Sequence, residues 1–309
     1  MTTIRITHQT TYQHRRPATA AWQMLQLQPR TEAAQECLDF QLEISPPASD
    51  LETRTDYFGN TRHFFSVREP HQELAITSRS IVCRREESRP LPGITQPLAA
   101  ARAHVAALVR DRGQFELEQY KYATFRVPLL PEAAALADGL DADATPLLDW
   151  IEQLGRKFAA TFTFDPAATH VGTTLAEVLQ TRRGVCQDFT HLFLSCVRQQ
   201  GLVAAYVSGY LLTKPPPGQA RLRGADAMHA WVSVFVPEVG WVDYDPTNTC
   251  FTGAGHIVVA RGRDYSDVSP SRGVFSGGSH VLRIGVTVEP EDEAAPVQTG
   301  ASNRRGALQ

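Results

Sequence analysis

The first 86 residues alternate apolar and polar side chains in short runs, and a segment with a period of two cannot bury one apolar face as a helix. The runs are TIRITHQTTYQ, MLQLQPR, LDFQLEISP, RHFFSVRE and ELAITSRSIVCR, parted by turn signals such as Pro46-Pro47 and Phe58-Gly59-Asn60. Short strands at this spacing predict an all-β sandwich. From about residue 96 the period changes. LAAARAHVAALVRD and PEAAALADGL have helical spacing, and Thr145-Pro146 reads as a helix start with proline at the first helical position. Leu147, Leu148, Ile151, Leu154 and Phe158 form that helix's buried stripe.

Thr174 and Glu177 fit a capping box opening LAEVLQTRR, a helix that Gly184 can end. Phe189, Leu192, Phe193, Cys196 and Val197 then recur as a second helical core stripe. Strands return in AAYVSGYLLT, which runs into the Pro215-Pro216-Pro217-Gly218 loop, and in HAWVSVFVP, GWVDYDPT, IVVA and HVLRIGVTVE. The last twenty residues lack periodicity and read as a disordered tail. The expected fold class is therefore α+β. Its expected divisions are a β-rich domain over 1–90, a helical connection over 91–150, a core over 151–290 and a tail over 291–309.

With 30 basic and 33 acidic residues the net charge is −3, so no global field favours nucleic acid or anionic membranes. No window reaches the apolar length of a spanning helix, and the N-terminus lacks the apolar stretch of a signal peptide; a cytoplasmic protein is expected. The five cysteines are odd in number and scattered, which is not a disulfide framework. Cys186 and Cys196, on one helix, would lie ~15 Å apart, too far to bridge.

Cys186 differs from Cys37, Cys83, Cys196 and Cys250 in its position and company. At the first turn of a helix, free N–H groups and the helix dipole stabilise a thiolate. A thiol nucleophile also needs a base held by a third group. His229 opens an alternating strand on which His229, Trp231, Ser233 and Phe235 share one face and Ala230, Val232, Val234 and Val236 the other. If the following loop is residues 237–239, Asp245 lies opposite Trp231 and within diagonal reach of His229. Cys, His and Asp in this order form the arrangement of papain-type enzymes.

G-V-C-Q-D-F-T-H, A-Y-V-S-G-Y, D-A-M-H-A-W and G-W-V-D-Y-D-P-T resemble, in order and spacing, the core of bacterial transglutaminase-like proteins. D-Y-F-G-N resembles that family's N-terminal β domain, and G-H-I-V-V-A-R-G-R-D-Y-S-D-V-S-P its C-terminal stretch. The likeness extends to about residue 290. It implies a papain-like, transglutaminase-like core after the β sandwich, with Cys186 as nucleophile, His229 as base and Asp245 as orienting carboxylate. Met228 departs from the family pattern, which has a small residue such as serine before the histidine.

Gln187, Asp226, Trp231, Trp241 and Tyr265 are candidate cleft residues, with Asp264 beside Tyr265 as a further closing group. The backbone N–H of Cys186 is the natural first oxyanion donor. Asp188 and His191 stand near the nucleophile, but paired ligand spacings for zinc are absent, so no metal and no cofactor are expected. G-x-S-x-G, H-E-x-x-H and the P-loop are absent too. The expected activity is acyl transfer at amide bonds of a peptide or protein substrate through a thioester, chiefly hydrolysis. Transfer of a glutamine acyl group to a primary amine is the alternative. A non-catalytic peptide-binding scaffold is the reading from another class.

Overall fold

The structure, a computed structural model, describes residues 1–85, 96–213 and 226–291. The Pro215–Gly218 loop and the tail beyond 291 lie outside these residues. The alternating N-terminal segment forms six strands: β1 (Thr2–Ala18), β2 (Ala20–Leu25), β3 (Gln35–Ser45), β4 (Asp50–Thr55), β5 (Thr61–Val67) and β6 (His71–Arg84). The period of two is visible in burial. Ile4, Ile6, His8, Thr10, Tyr12 and His14 of β1 all point inward, as do Leu74, Ile76, Ser78, Ser80 and Val82 of β6. Tyr12, Leu25, Phe65, Val67, Leu74 and Ile76 fill the space between the two sheets.

Helices follow: α1 (Leu98–Arg112), α2 (Pro131–Ala134) and α3 (Leu147–Thr161), whose stripe of Leu147, Leu148, Ile151, Leu154 and Phe158 is buried. Pro146 occupies the cap just before α3 rather than its first turn. After the short β7 (Thr163–Phe164) come α4 (Leu175–Thr181), β8 (Arg183–Gly184) and α5 (Cys186–Gln199). Thr174 and Glu177 close the capping box of α4. The helix ends one turn before the expected glycine, because Arg182 itself takes the left-handed conformation (φ 57°) with its guanidinium over the Phe162 ring. Gly184 serves a different purpose. A Cβ there would lie 3.0 Å from the Asp188 side chain.

The second domain is built on a five-stranded antiparallel sheet of β9 (Ala204–Leu211), β10 (Met228–Val236), β11 (Gly240–Asp245), β12 (Cys250–Phe251) and β13 (His256–Gly262), in the order β12-β11-β10-β9-β13. Leu192, Phe193, Cys196 and Val197 of α5 pack against Ala230, Val232, Val234 and Val236 of β10. Leu98, Trp150 and Phe158 join the same apolar cluster, so the helices and the sheet share one core. The division expected at residue 150 falls inside α3 for that reason. The short α6 (Tyr265–Val268) then leads back to β14 (Ser271–Ser276) and β15 (His280–Pro290).

Those last two strands correct the expected domain plan, which placed residues up to 290 in the core. β15 pairs with β1 from Ile4 opposite Pro290 to His14 opposite His280, and β14 pairs with β2, giving sheets ordered β15-β1-β6-β3 and β14-β2-β5-β4. Alternation in HVLRIGVTVE predicts a strand but not the sheet that receives it. The long β1, whose other edge is taken by β6, offers the free edge.

The two domains meet along β13. The Gln35 carboxamide accepts from Val258 N–H and donates to Val258 C=O, both at 2.8 Å. Asn60 does the same at Arg261, at 2.8 and 2.9 Å. Asn60 is aimed there by the D-Y-F-G-N turn, in which Asp56 accepts from the N–H groups of Phe58 and Asn60 and Gly59 takes φ 76°. The Arg261 guanidinium bridges Glu32 of the sandwich (3.0 Å) and Asp243 of β11 (2.9 Å). Asp243 also accepts from Trp231 Nε1 at 3.0 Å and Ser233 Oγ at 2.5 Å.

Trp231 lies across Gly209 in β9. A Cβ at Gly209 would stand 2.1 Å from the Ile257 carbonyl and 2.4 Å from the Trp231 ring. The intruding methyl meets backbone on one side and a fully buried ring on the other, so neither can yield cheaply. Gly209→Ala is expected to destabilise the fold by about 3 kcal/mol, at the upper end for overpacking, read as a lower urea midpoint at unchanged slope.

Candidate active site

The site begins where α5 begins. Val185 is extended and Cys186 is the first helical residue, half-buried, beside the unpaired N–H groups of the first turn. Asp188, three residues on, is buried and accepts from Val185 N–H (2.9 Å) and Thr169 Oγ1 (2.6 Å). Its carboxylate fixes the helix start and does not face the cleft as a ligand. His191, one turn further, is buried and accepts from the Tyr265 N–H at 3.2 Å. Burial pushes its imidazole down to about 3, so it is a neutral acceptor that holds the start of α6.

The β10–β11 register places Val232 opposite Tyr244 and Val236 opposite Gly240, leaving a loop of 237–239. This carries Asp245 opposite Trp231, and the His229–Asp245 diagonal closes as an Nε2···Oδ2 hydrogen bond of 2.7 Å. Asp245 is fully buried. Its Oδ1 accepts from the N–H groups of Thr247 (2.9 Å) and Asn248 (3.1 Å), so the D-P-T-N stretch is a turn folded around its own carboxylate. Its Oδ2 accepts, besides His229, from Asn248 Nδ2 (2.7 Å) and His256 Nε2 (3.2 Å).

The charges follow from this packing. Burial alone would lower His229, but hydrogen bonding and charge from Asp245 and Cys186 outweigh it and raise the imidazole to about 10. Burial alone would raise Asp245, and the hydrogen bonds from His229, His256 and Asn248 instead hold it well below the usual carboxylate range. His229 thus interacts with both the Asp245 carboxylate and Cys186. Neither Asn248 nor His256 stood out in the sequence. An Asn three residues after a turn Asp is a recognisable signal for the first. His256 comes from β13, two strands from β10, and has no short-range signature.

His229, Asp245 and His256 bring their ligand atoms within 4.8 Å of one another, the spacing of a metal triad. The hydrogen bonds argue for protons there. Gly253 N–H donates to His256 Nδ1 at 3.3 Å, so the ring proton sits on Nε2 and points at Asp245. A metal-bound Nε2 requires the opposite tautomer, with Nδ1–H donating outward, and the Gly253 N–H occupies that direction.

A cavity of about 400 Å³ opens in front of Cys186 and His229, lined by Gln187, Tyr206, Ser208, Asp226, Met228 and Tyr265. Its far wall belongs to the sandwich: His8, Thr10, Leu27, Ser271 and Ile284. Only the tertiary fold brings these residues to the cysteine, so no local pattern in the sequence marks them. Met228, the departure from the family pattern, stands beside His229 in this lining. Asp226 accepts from Thr213 Oγ1 (3.1 Å) and Val288 N–H (2.9 Å), tying the approach to β10 onto β15. Asp264 caps α6 through Ser266 N–H at 2.6 Å rather than lining the cavity.

The two tryptophans are not cleft residues. Trp231 shares the His229 face, with ring centroids 6.0 Å apart, but it is two residues deeper in the strand and wholly buried. Trp241 pairs with Phe235 at the far end of the hairpin and meets Tyr120 edge-on at 5.2 Å, beside a different cavity with Arg30 and Arg261.

Residues 4–83 match the sequence model of the bacterial transglutaminase-like N-terminal region, and residues 134–246 that of the transglutaminase-like superfamily. Over 297 residues the chain is 38% identical to an uncharacterised protein of Mycobacterium tuberculosis, covering 92% of this chain and 91% of that relative. It is 33% identical over 121 residues to a protein-glutamine gamma-glutamyltransferase of Pseudomonas aeruginosa, covering 38% of this chain and 18% of that protein. A solved structure from Cytophaga hutchinsonii, provisionally named a cysteine protease, superposes with a TM-score of 0.73 over 96% of this chain and 92% of that one. At 17% identity this is a likeness of fold.

His8, in the cavity wall, bonds the Tyr210 hydroxyl at 3.0 Å, and burial pushes it down to about 4. A histidine with a lowered native value stabilises fully above its unfolded value of about 6.5 and loses that contribution as pH falls towards the native value. His8→Gln, which cannot titrate, is expected to shrink the loss of unfolding free energy between about pH 7 and pH 4 by on the order of 3 kcal/mol, measured by urea unfolding at each pH.

Proposed function

The chain belongs to the transglutaminase-like superfamily, and from that membership we propose that it catalyses cysteine-dependent acyl transfer at amide carbonyls of a peptide or protein. The observation that carries the proposal is the His229–Asp245 hydrogen bond of 2.7 Å, with His229 lining the same cavity as a cysteine at a helix N-terminus.

In this reading the Cys186 sulfur attacks the carbonyl carbon, and the oxygen that gains charge meets the Cys186 N–H in the first turn of α5. The C–N bond breaks as the His229 imidazolium gives its proton to the departing amine. A thioester remains on Cys186. A water then gives a proton to His229 and adds to the thioester carbonyl; the acid leaves and the thiolate–imidazolium pair is restored. Asp245 keeps the ring in the tautomer and orientation that both halves need. Neither half requires a metal or an organic cofactor.

Hydrolysis is the preferred outcome, because water reaches any open cleft whereas an amine needs a site of its own. Transfer to a primary amine is the second reading, favoured by the likeness to the Pseudomonas enzyme over 121 residues. The scaffold reading would require binding without turnover.

Incubating the protein with a glutamine-containing peptide, with and without a primary amine, separates these outcomes. Free acid in both samples supports hydrolysis, amide formed faster than acid supports transamidation, and binding without either product supports the scaffold. Removing the base costs the proton-transfer contribution, so His229→Ala is expected to lower the rate ~10²–10⁴-fold. Cys186→Ala is expected to abolish the thioester adduct in intact-protein mass spectra. An undiminished rate in either variant would sink the mechanism.

A further inference from the structure

His256 has no role in the reaction just described, yet it is buried and directs a ring proton at the carboxylate that the reaction depends on. Its tautomer follows from two bonds: Nδ1 accepts from Gly253 N–H at 3.3 Å, and Nε2 donates to Asp245 Oδ2 at 3.2 Å. The ring is held by β13 on one side and stands edge-on to the Trp231 ring, centroids 5.3 Å apart, on the other. His229 and His256 therefore share one oxygen of one buried carboxylate.

We infer that His256 is a positioning residue for His229, acting through Asp245: its Nε2–H draws on the oxygen that also binds the His229 imidazole and so weakens that oxygen's hold on the imidazolium proton. The inference rests on the acyl-transfer reading for its purpose, since that proton must leave for an amine. Its physical content is independent of that reading. Each donor to a carboxylate spreads its charge and lowers its pull on the others. Oδ1 keeps its two backbone donors and Oδ2 keeps Asn248 when His256 is removed, so the carboxylate stays in place and its charge alone changes.

The groups that share this environment are few. His229 faces Cys186 from α5 and Asp245 from β11, with Tyr206 from β9, His8 from β1, Tyr265 from α6 and Asp226 around the same cavity. Asp245 faces both histidines, Asn248 and, electrostatically, Cys250 of β12. His256 is not among the residues lining the cleft, so it can be altered without touching it.

The test is imidazole titration by nitrogen NMR on the full chain labelled at histidine, without substrate, in wild type, His256→Phe and His256→Gln. In wild type near about pH 8 the His256 proton is expected on Nε2; a proton on Nδ1 would overturn the inference without recourse to any variant. His256→Phe removes the donor and is expected to raise the His229 midpoint by about one pH unit, a tenfold loss of acidity. His256→Gln keeps an N–H in nearly the same place and is expected to stay within about 0.3 unit of wild type. An unmoved or lowered midpoint in a folded His256→Phe protein, or a His256→Gln protein that matches it, sinks the inference. Because no turnover is measured, a failure of the acyl-transfer reading shows as missing thioester with these shifts intact.

Discussion

Asp245 is the carboxylate on which the site depends. Taking an ionised carboxylate out of water costs several kcal/mol, and among the described residues this one has no arginine or lysine in hydrogen-bond reach. Five N–H groups surround it instead, from His229, Thr247, Asn248 (backbone and side chain) and His256. They come from β10, from the turn after β11 and from β13, so the charge can be satisfied only when all three strands are in register. Folding of the sheet and formation of the His229–Asp245 pair are therefore one event.

The same logic runs through the helix that begins at Cys186. α5 is buried from Asp188 to Arg198, so packing on all sides locates its N-terminus, and the Asp188 carboxylate seals the first turn against Val185 and Thr169. Gly184 must lack a side chain for that carboxylate to fit. The cysteine is placed by core packing behind it, and the cavity in front is left to the sandwich to shape.

Local patterns were read well from the sequence where the physics is local. The period of two in β1 and β6, the stripe of α3, the capping box at Thr174 and the 237–239 loop all depend on neighbours within a few residues. The diagonal from His229 to Asp245 was legible because a hairpin converts sequence distance into geometry. What could not be read was long-range. β15 alternates like any strand, and nothing in it names β1 as its partner. Trp241 lies on an alternating strand near the cleft's hairpin but at its wrong end. His256 and the cavity wall of His8 and Ile284 reach the site only through the topology of separate sheets. Gly184 was misread because Arg182 ends α4 first, at the expense of a left-handed backbone.

The seam along β13 has a consequence for how such proteins can be recombined. A carboxamide offers one donor and one acceptor in the geometry of a peptide unit, and Gln35 and Asn60 use it to complete a strand that belongs to another domain. The outer edge of β13 is thus completed by these two side chains and the Arg30 N–H rather than by a sixth strand. A transplanted core would arrive with unmatched groups at Val258 and Arg261, open to any passing strand. The transferable unit is the core together with a neighbour carrying both amides at the right heights, which makes the two domains of this chain a single structural part.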